Sequence, residues 1–400
     1  MRIGLYVNAF EHGGAERVVS RLSSILQQQG HAVFVIISDA SLVSYSVSGK
    51  LIDFQIPSAR GLLGKLVTLL KRRNKLGKTK HEHHLDCVIS FMDGANIVNI
   101  LAKTKQTKTI VSIRNHLSSE LKAASFGSVQ KWIFTTMYKH ADSVICVSKL
   151  IARDVEQSFC VPLEKIRVLY NPYDAESIRK DASLVESVDP KIADFIRGKE
   201  FCFVSMGRLS YQKGLWHLLK AFSLVKPSEN HLGLVLIGDG EQGSKLKELA
   251  SLLHIENSVC FCGYRENPYA IMALCSVYVL PSLFEGFPNA LVEAMCLGLP
   301  VIAADCKSGP REILAPELDI YGTPMEKAYA AQYGYLFPPF SGREDWTVNC
   351  GEERTWADAL ESICIKTNEF AHYSKISVDR SKYFSEESCY STLYPILLEG

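Results

Sequence analysis

Short runs of apolar and β-branched residues recur along the chain, with segments of helical length between them. Residues 3–7, 32–37, 86–91, 109–113, 143–147 and 166–169 are apolar at nearly every position rather than at every second one, the pattern of strands covered on both faces. Residues 15–29 and 97–105 have the length and apolar spacing of helices, so the first part of the chain predicts a βαβ array around a parallel sheet. A polar, irregular stretch over 173–200 reads as an interdomain linker. The array then restarts, with strands predicted at 201–206, 232–237, 259–262, 277–280 and 300–303 and helices at 215–225, 244–253 and 288–297. The fold class that follows is α/β, with two Rossmann-like, doubly wound domains over 1–172 and 200–370 facing each other across a cleft.

Length agrees with two domains, since 400 residues exceed what one hydrophobic core organises. The opening apolar run, 3–7, is too short for a signal peptide and reads as a first strand. No later run reaches the roughly 18 apolar residues of a membrane span. The twelve cysteines are expected to be free thiols in a reducing compartment, with Cys202, Cys260 and Cys262 in the core. A net charge of +1 hides an asymmetry: residues 1–150 hold 20 Lys and Arg against 9 Asp and Glu, and the remainder holds 24 against 34. A basic first domain predicts an anionic partner: phosphate, membrane lipid or nucleic acid. The basic run lacks interleaved aromatic residues, which argues against nucleic acid.

In open α/β sheets ligands bind beyond the carboxyl ends of the strands, so the loops that follow strands carry the candidate chemistry. The richest is Pro281-Ser282-Leu283-Phe284-Glu285-Gly286-Phe287-Pro288-Asn289-Ala290-Leu291-Val292-Glu293. Pro288 suits a first helical position because it has no amide hydrogen to leave unsatisfied, and the helix is expected to begin near Phe287. Gly286 before a helix start lets backbone approach a ligand, and the helix amino terminus favours phosphate oxygens. Glu285 and Glu293 can address different parts of one extended ligand, sugar hydroxyls and ribose hydroxyls.

This segment, continuing through Ala294-Met295-Cys296-Leu297-Gly298-Leu299-Pro300, resembles the signature of the retaining glycosyltransferases of the GT-B fold (glycosyl transferases group 1), whose mark is two glutamates separated by seven residues. A second loop, Gly207-Arg208-Leu209-Ser210-Tyr211-Gln212-Lys213-Gly214, matches the Gly-Arg…Lys-Gly loop of that family. Arg208 offers a planar fork and Lys213 a point charge, suited to neutralising a diphosphate leaving group. The resemblance implies a nucleotide diphosphate sugar donor, with UDP the expected nucleotide. Donor contacts fall to Gly207, Arg208, Lys213, Glu285, Gly286, Phe287, Pro288, Asn289, Ala290, Leu291 and Glu293. Gly238 and Tyr264, at the ends of two further strands, match positions where the family contacts phosphate, sugar or base. No Asp-x-Asp occurs in the chain, so no metal and no cofactor is expected. The resemblance also implies front-face displacement, with the leaving phosphate as base and Glu285 orienting the sugar, and a last helix, 385–398, crossing back to the first domain.

In the first domain, Gly13 and Gly14 follow the first strand and open a helix, and resemble the family's Gly-Gly-Ala-Glu-Arg element, a place for phosphate. His116 follows another strand, where related enzymes set a histidine near the transferred sugar. The run His81-Glu82-His83-His84 sits in a polar loop without a matching ligand elsewhere and is not read as a metal site. Leu62, Leu63, Leu66, Leu69 and Leu70 recur at helical spacing beside Lys65, Lys71, Arg72, Arg73, Lys75, Lys78 and Lys80, the composition of a helix that lies on an anionic membrane or packs with its charges in water. The expected acceptor is a glycan, polyprenyl-diphosphate-linked, with the enzyme in the cytoplasm or peripheral on the inner membrane face. Two other readings stay open: a sugar-nucleotide epimerase or phosphorylase on a similar scaffold, and a non-catalytic sugar-nucleotide-binding subunit of a membrane-associated complex.

Overall fold

The computed structural model describes residues 1–10, 13–39, 45–123, 127–225, 232–365 and 367–399. The chain forms two compact units, Met1–Pro172 with Glu386–Gly400, and Tyr173–Ser385.

The first unit is built on strands β1 (Arg2–Val7), β2 (Ala32–Ile37), β3 (Lys50–Asp53), β4 (Cys87–Phe91), β5 (Lys108–Ile113), β6 (Ser143–Cys146) and β7 (Ile166–Val168), in the order β3-β2-β1-β4-β5-β6-β7. Every pairing is parallel. Alternation sends Ile3, Leu5, Val7, Val33, Val35 and Ile37 to one face, where they pack with Val18, Leu22 and Leu26 of the helix Gly14–Gln28 and with Leu393 and Ile396 of the helix Glu386–Leu398. Tyr6, Phe34, Ile36 and Val88 point to the other face, against Leu76, Ala95 and Val98. The helix Glu386–Leu398 thus belongs to the core of the first unit, and the Lys108 ammonium donates to the Ile396 carbonyl at 2.7 Å. β3 escaped sequence reading because it is a short, half-exposed edge strand without the apolar density of its neighbours.

The basic segment forms the helix Leu62–Glu82, and it divides in a way that composition alone did not reveal. Leu62 and Leu63 are 89% and 81% exposed, and Leu66, Val67 and Leu70 are exposed with them. Arg72 and Lys80 turn inward instead. The Arg72 guanidinium donates to the Ile56 carbonyl and to the Asn8 side chain, and the Lys80 ammonium donates to the carbonyls of Asn99 and Ala102. The His81–His84 run is not a loop: His81 and Glu82 close this helix, His83 is its C-cap and His84 takes a positive φ of 47°.

Burial lowers the Lys80 pKa to about 7. The unfolded chain therefore binds more protons than the folded one between pH 7 and the ordinary lysine range, and stability contributed at this site rises with pH across that window. In urea titrations at pH 7, 8.5 and 9.5, wild type should gain on Lys80→Met by about 1 kcal/mol per pH unit. A constant difference between the two proteins would refute this assignment.

The second unit holds β8 (Phe201–Met206), β9 (Leu232–Ile237), β10 (Val259–Gly263), β11 (Val277–Leu280), β12 (Val301–Ala304), β13 (Tyr329–Ala331) and β14 (Gly334–Phe337), in the order β10-β9-β8-β11-β12-β14-β13. All pairings are parallel except β13 with β14. Trp216, Phe222, Leu246 and Trp356, on helices over one face, close the core. The strands β13 and β14 flank Tyr333.

Residues 173–200 are not a linker. They form the helices Ala175–Ala182 and Pro190–Arg197 within the second unit, and bury Ile178, Ile192 and Ile196. Each helix is capped by an aspartate, Asp174 accepting from the Ser177 amide and Asp189 from the Lys191 amide. In the sequence, the surrounding polar residues masked the apolar spacing of these helices. Among the described residues, no helix is long and apolar enough to cross a membrane.

Candidate active site

Three loops at the carboxyl ends of β8, β9 and β10 are joined through backbone. The Gly207 amide donates to the Ile237 carbonyl and the Leu209 amide to the Asp239 carbonyl, both at 2.9 Å. The Gly238 amide donates to the Gly263 carbonyl at 2.9 Å, and the Tyr264 amide to the Asp239 carboxylate at 2.7 Å. Gly238 has a φ of +131°, and a Cβ there would lie 2.0 Å from the Gly207 carbonyl oxygen. Glycine is therefore required at this position by both conformation and space. Gly238→Ala should destabilise the second unit by about 2–4 kcal/mol, read as the shift of its urea midpoint, whereas an unchanged midpoint would mean that the loops separate without cost.

Lys213 and Glu285 meet here. The Lys213 ammonium lies 2.6 Å from Glu285 Oε1, with 19% and 7% of the two side chains exposed. The Ser282 hydroxyl donates to the same oxygen at 2.6 Å, and the Gln212 amide is 3.4 Å from Oε2. The stem of Lys213 runs against Gly207, where an added Cβ would stand 3.0 Å from Cε. The backbone around Glu285 is clamped from two sides. The Leu283 amide donates to the Gln212 carbonyl, the Glu285 amide to the Lys307 carbonyl at 2.7 Å, and the Ser308 hydroxyl to the carbonyls of Glu285 and Gly286. A carboxylate so held is fixed in position.

Pro288 is the N-cap and not the first helical residue: the helix runs Asn289–Cys296, and Pro288 has an extended ψ of 96°. Gly309 packs against the Pro288 ring, where an added Cβ would be 2.6 Å from Cδ. The amides of Leu291 and Val292 already turn back to the Pro288 carbonyl, so the amides at the helix start are those of Asn289 and Ala290. Gly286 and Phe287 are buried, Leu291 is wholly buried, and Asn289 and Ala290 are half-buried. The Tyr173 hydroxyl donates to the Asn289 side chain at 2.6 Å. Glu293 is 1% exposed. Arg208 is exposed at the rim of the β8 loop.

Sequence reasoning missed several supporting groups. Tyr278, fully buried on β11, donates to the Met206 carbonyl at 3.4 Å; burial first, then the charges of Glu285 and Glu293, raise its pKa, so it lies near both glutamates. Arg311 and Asp305 form a buried ion pair beneath the site, with Arg311 Nε 2.9 Å from Asp305. Arg311 also donates to the carbonyls of Asp319 and Thr323, which is what fastens the segment around Tyr321. Among the described residues, His217, Glu352 and Glu353 bring one ligand atom each to within 4.8 Å of one another. His217 Nδ1 is committed to Glu353 at 2.7 Å, its ring stacks on Phe340 at 4.3 Å, and Glu352 accepts from Ser341. Burial works to raise the Glu353 carboxyl, but the His217 hydrogen bond and the Lys220 charge hold it below its ordinary value. The group fastens the 340–354 segment to the helix Leu215–Leu224.

Gly13, Gly14 and His116 belong to the first unit; residues 11 and 12 of the same loop lie outside the described residues. Gly13 caps the helix Gly14–Gln28, and the Glu16 carboxylate folds back so closely that a Cβ on Gly13 would be 2.1 Å from its oxygen. The chain thus supplies its own carboxylate at this helix terminus, as in a capping box. The ring of His116 is 11% exposed and its Nδ1 accepts from the Ser119 amide at 3.3 Å, with Asp154 at 3.6 Å.

Comparison with known proteins identifies the family and the fold. The sequence profile for glycosyl transferases group 1 matches residues 191–330, and that for glycosyltransferase family 4 matches 12–177. The chain is 31% identical over 364 residues, 88% of each chain, to an uncharacterised glycosyltransferase of Methanocaldococcus jannaschii. It is 29% identical over 322 residues, 79% of this chain and 84% of the other, to the N-acetylgalactosamine-N,N'-diacetylbacillosaminyl-diphospho-undecaprenol 4-alpha-N-acetylgalactosaminyltransferase of Campylobacter jejuni. Among solved structures, Anabaena HepE in complex with UDP superposes with a TM-score of 0.73 over 99% of both chains at 20% identity, which establishes the two-domain GT-B fold. With its paired seven-stranded sheets and its Glu285–Glu293 segment, the chain belongs to the glycosyl transferases of group 1.

Proposed function

We propose that the protein is a retaining, metal-independent enzyme that moves a hexose or N-acetylhexosamine from UDP to a lipid-linked glycan. The observation that carries this reading is the contact at 2.6 Å between Lys213 of the β8 loop and Glu285 of the loop after β11, with Arg208 exposed five positions before Lys213 on its loop. Negative charge builds on the leaving diphosphate as the anomeric bond breaks, and two cations on one loop stabilise it where a metal would otherwise be needed. Glu285, fixed by Ser282 and the Lys307 carbonyl, orients sugar hydroxyls; Glu293, in the helix Asn289–Cys296, takes the ribose. The leaving phosphate then accepts the acceptor's proton. Bound UDP in HepE and the diphospho-undecaprenol acceptor in the name of the Campylobacter relative support the donor and acceptor classes.

Acceptor binding is assigned to the first unit. Its exposed Leu62, Leu63 and Leu66, flanked by the exposed Lys65, Lys71, Arg73, Lys75 and Lys78, suit the surface of an anionic bilayer. The test is a transfer assay in EDTA with UDP-sugars and a polyprenyl-diphosphate-linked acceptor, followed by NMR of the product's anomeric proton. An α-linked product from an α-linked donor supports the reading. An inverted product, epimerised donor, or binding without turnover under any donor would replace it with another mechanism, an epimerase or a silent subunit.

A further inference from the structure

β10 carries Cys260 and Cys262 with their Sγ atoms 3.8 Å apart. Residues i and i+2 of a regular strand point to the same face with Cα atoms about 6.7 Å apart, at the upper limit of what a disulfide spans. Here the strand is not regular. Phe261 pairs with Leu236 and Gly263 with Ile237, so the register with β9 slips and Cys262 is an extra residue. A bulge of this kind bends the strand at that residue, which draws the two thiols into contact. Cys262 is buried and Cys260 is half-buried, so Cys260 is the more accessible residue of the two. Directly after them come Gly263, with φ +69°, and the Tyr264 amide bound to Asp239, the fastenings of the three-loop network.

We propose that Cys260 and Cys262 are a reactive dithiol site that closes to an intrastrand disulfide by exchange with a small disulfide and, through Gly263, loosens the loop network. The consequence for nucleotide binding rests on the donor reading given above; the thiol chemistry does not. In the reduced pair, the hydrogen bond from Cys262 lowers the Cys260 pKa, opposed by burial and assisted by Arg265. The same hydrogen bond, followed by burial, raises that of Cys262. Cys260 is then the attacking thiolate. It displaces one thiolate from the small disulfide and forms a mixed disulfide. With the Cys260 charge gone, the hydrogen bond that held the Cys262 proton is lost as well. Cys262 gives its proton to solvent and attacks Cys260 Sγ, expelling the second small thiol. Two protein thiols are oxidised and one small disulfide is reduced to two thiols.

The experiment treats the full chain with oxidised glutathione, alkylates the remaining thiols and maps peptides by mass spectrometry. The expected result is a peptide carrying both cysteines that has lost two hydrogens and takes no alkyl group, while the exposed Cys160 carries glutathione or alkyl label. In Cys262→Ser, Cys260 should stop at the glutathione mixed disulfide. A wild-type peptide alkylated at both cysteines while Cys160 is glutathionylated would overturn the proposal, and this readout needs no variant to fold. UDP affinity should fall by about tenfold on oxidation and return with dithiothreitol. An oxidised protein that binds UDP as well as the reduced one would overturn the coupling to the loop. Failure of the reduced protein to bind UDP would count against the donor reading and leave the disulfide map to decide the thiol chemistry.

Discussion

Lys213→Met should lower turnover by about 10²–10³-fold, the scale of removing one preorganised charge from a developing anion. The loss should fall on kcat more than on KM, because the charge on the leaving diphosphate is larger in the transition state than in the bound donor. Methionine keeps the stem that lies along Gly207, so packing is retained. Glu285 keeps the Ser282 hydroxyl and the Gln212 amide as donors, which limits the destabilisation from the lost partner. Steady-state kinetics beside a melting curve separates the two effects. A variant that melts like wild type and turns over within a few-fold of it would remove Lys213 from the chemistry.

Arg311→Met should cost the second unit about 3–5 kcal/mol, because it leaves Asp305 as a buried carboxylate without its cation. Both groups are nearly inaccessible, Arg311 at 4% and Asp305 at 6%, and the arginine also satisfies the carbonyls of Asp319 and Thr323. The thermal midpoint of the second unit should drop by roughly 6–20 °C. Removing the carboxylate as well, in Arg311→Met with Asp305→Leu, should restore a large part of the loss, since two apolar groups replace an ion pair with little penalty. If the double variant is as unstable as the sum of the single ones, the pair is not a coupled unit, and the arginine acts only through the two carbonyls.

The buried strands were the most legible feature of the sequence: 201–206, 232–237 and 277–280 appear as read. In a doubly wound sheet a central strand is covered on both faces and is apolar at nearly every position. Edge elements fared worse for the complementary reason. β3 and β13 are half-exposed, so their composition does not differ from a loop. The Glu285 and Lys213 loops were singled out because their motifs, each between a strand end and a helix start, resemble those of a known family. Their supports were not. Tyr278, Arg311 and Ser308 reach the site from other strands and loops, and only the fold places them there. The basic helix shows the limit in another form, since Arg72 and Lys80 read as surface charges until burial and hydrogen bonding set them apart from Lys65 and Arg73.

The account turns on a diphosphate site in the second unit that works without a metal, and titration calorimetry with UDP in EDTA tests it most directly. The account predicts binding that is unchanged when magnesium replaces EDTA, that exceeds binding of GDP and ADP, and that weakens at least tenfold in Lys213→Met. Binding that appears only with magnesium, or that is the same in the variant, would contradict it.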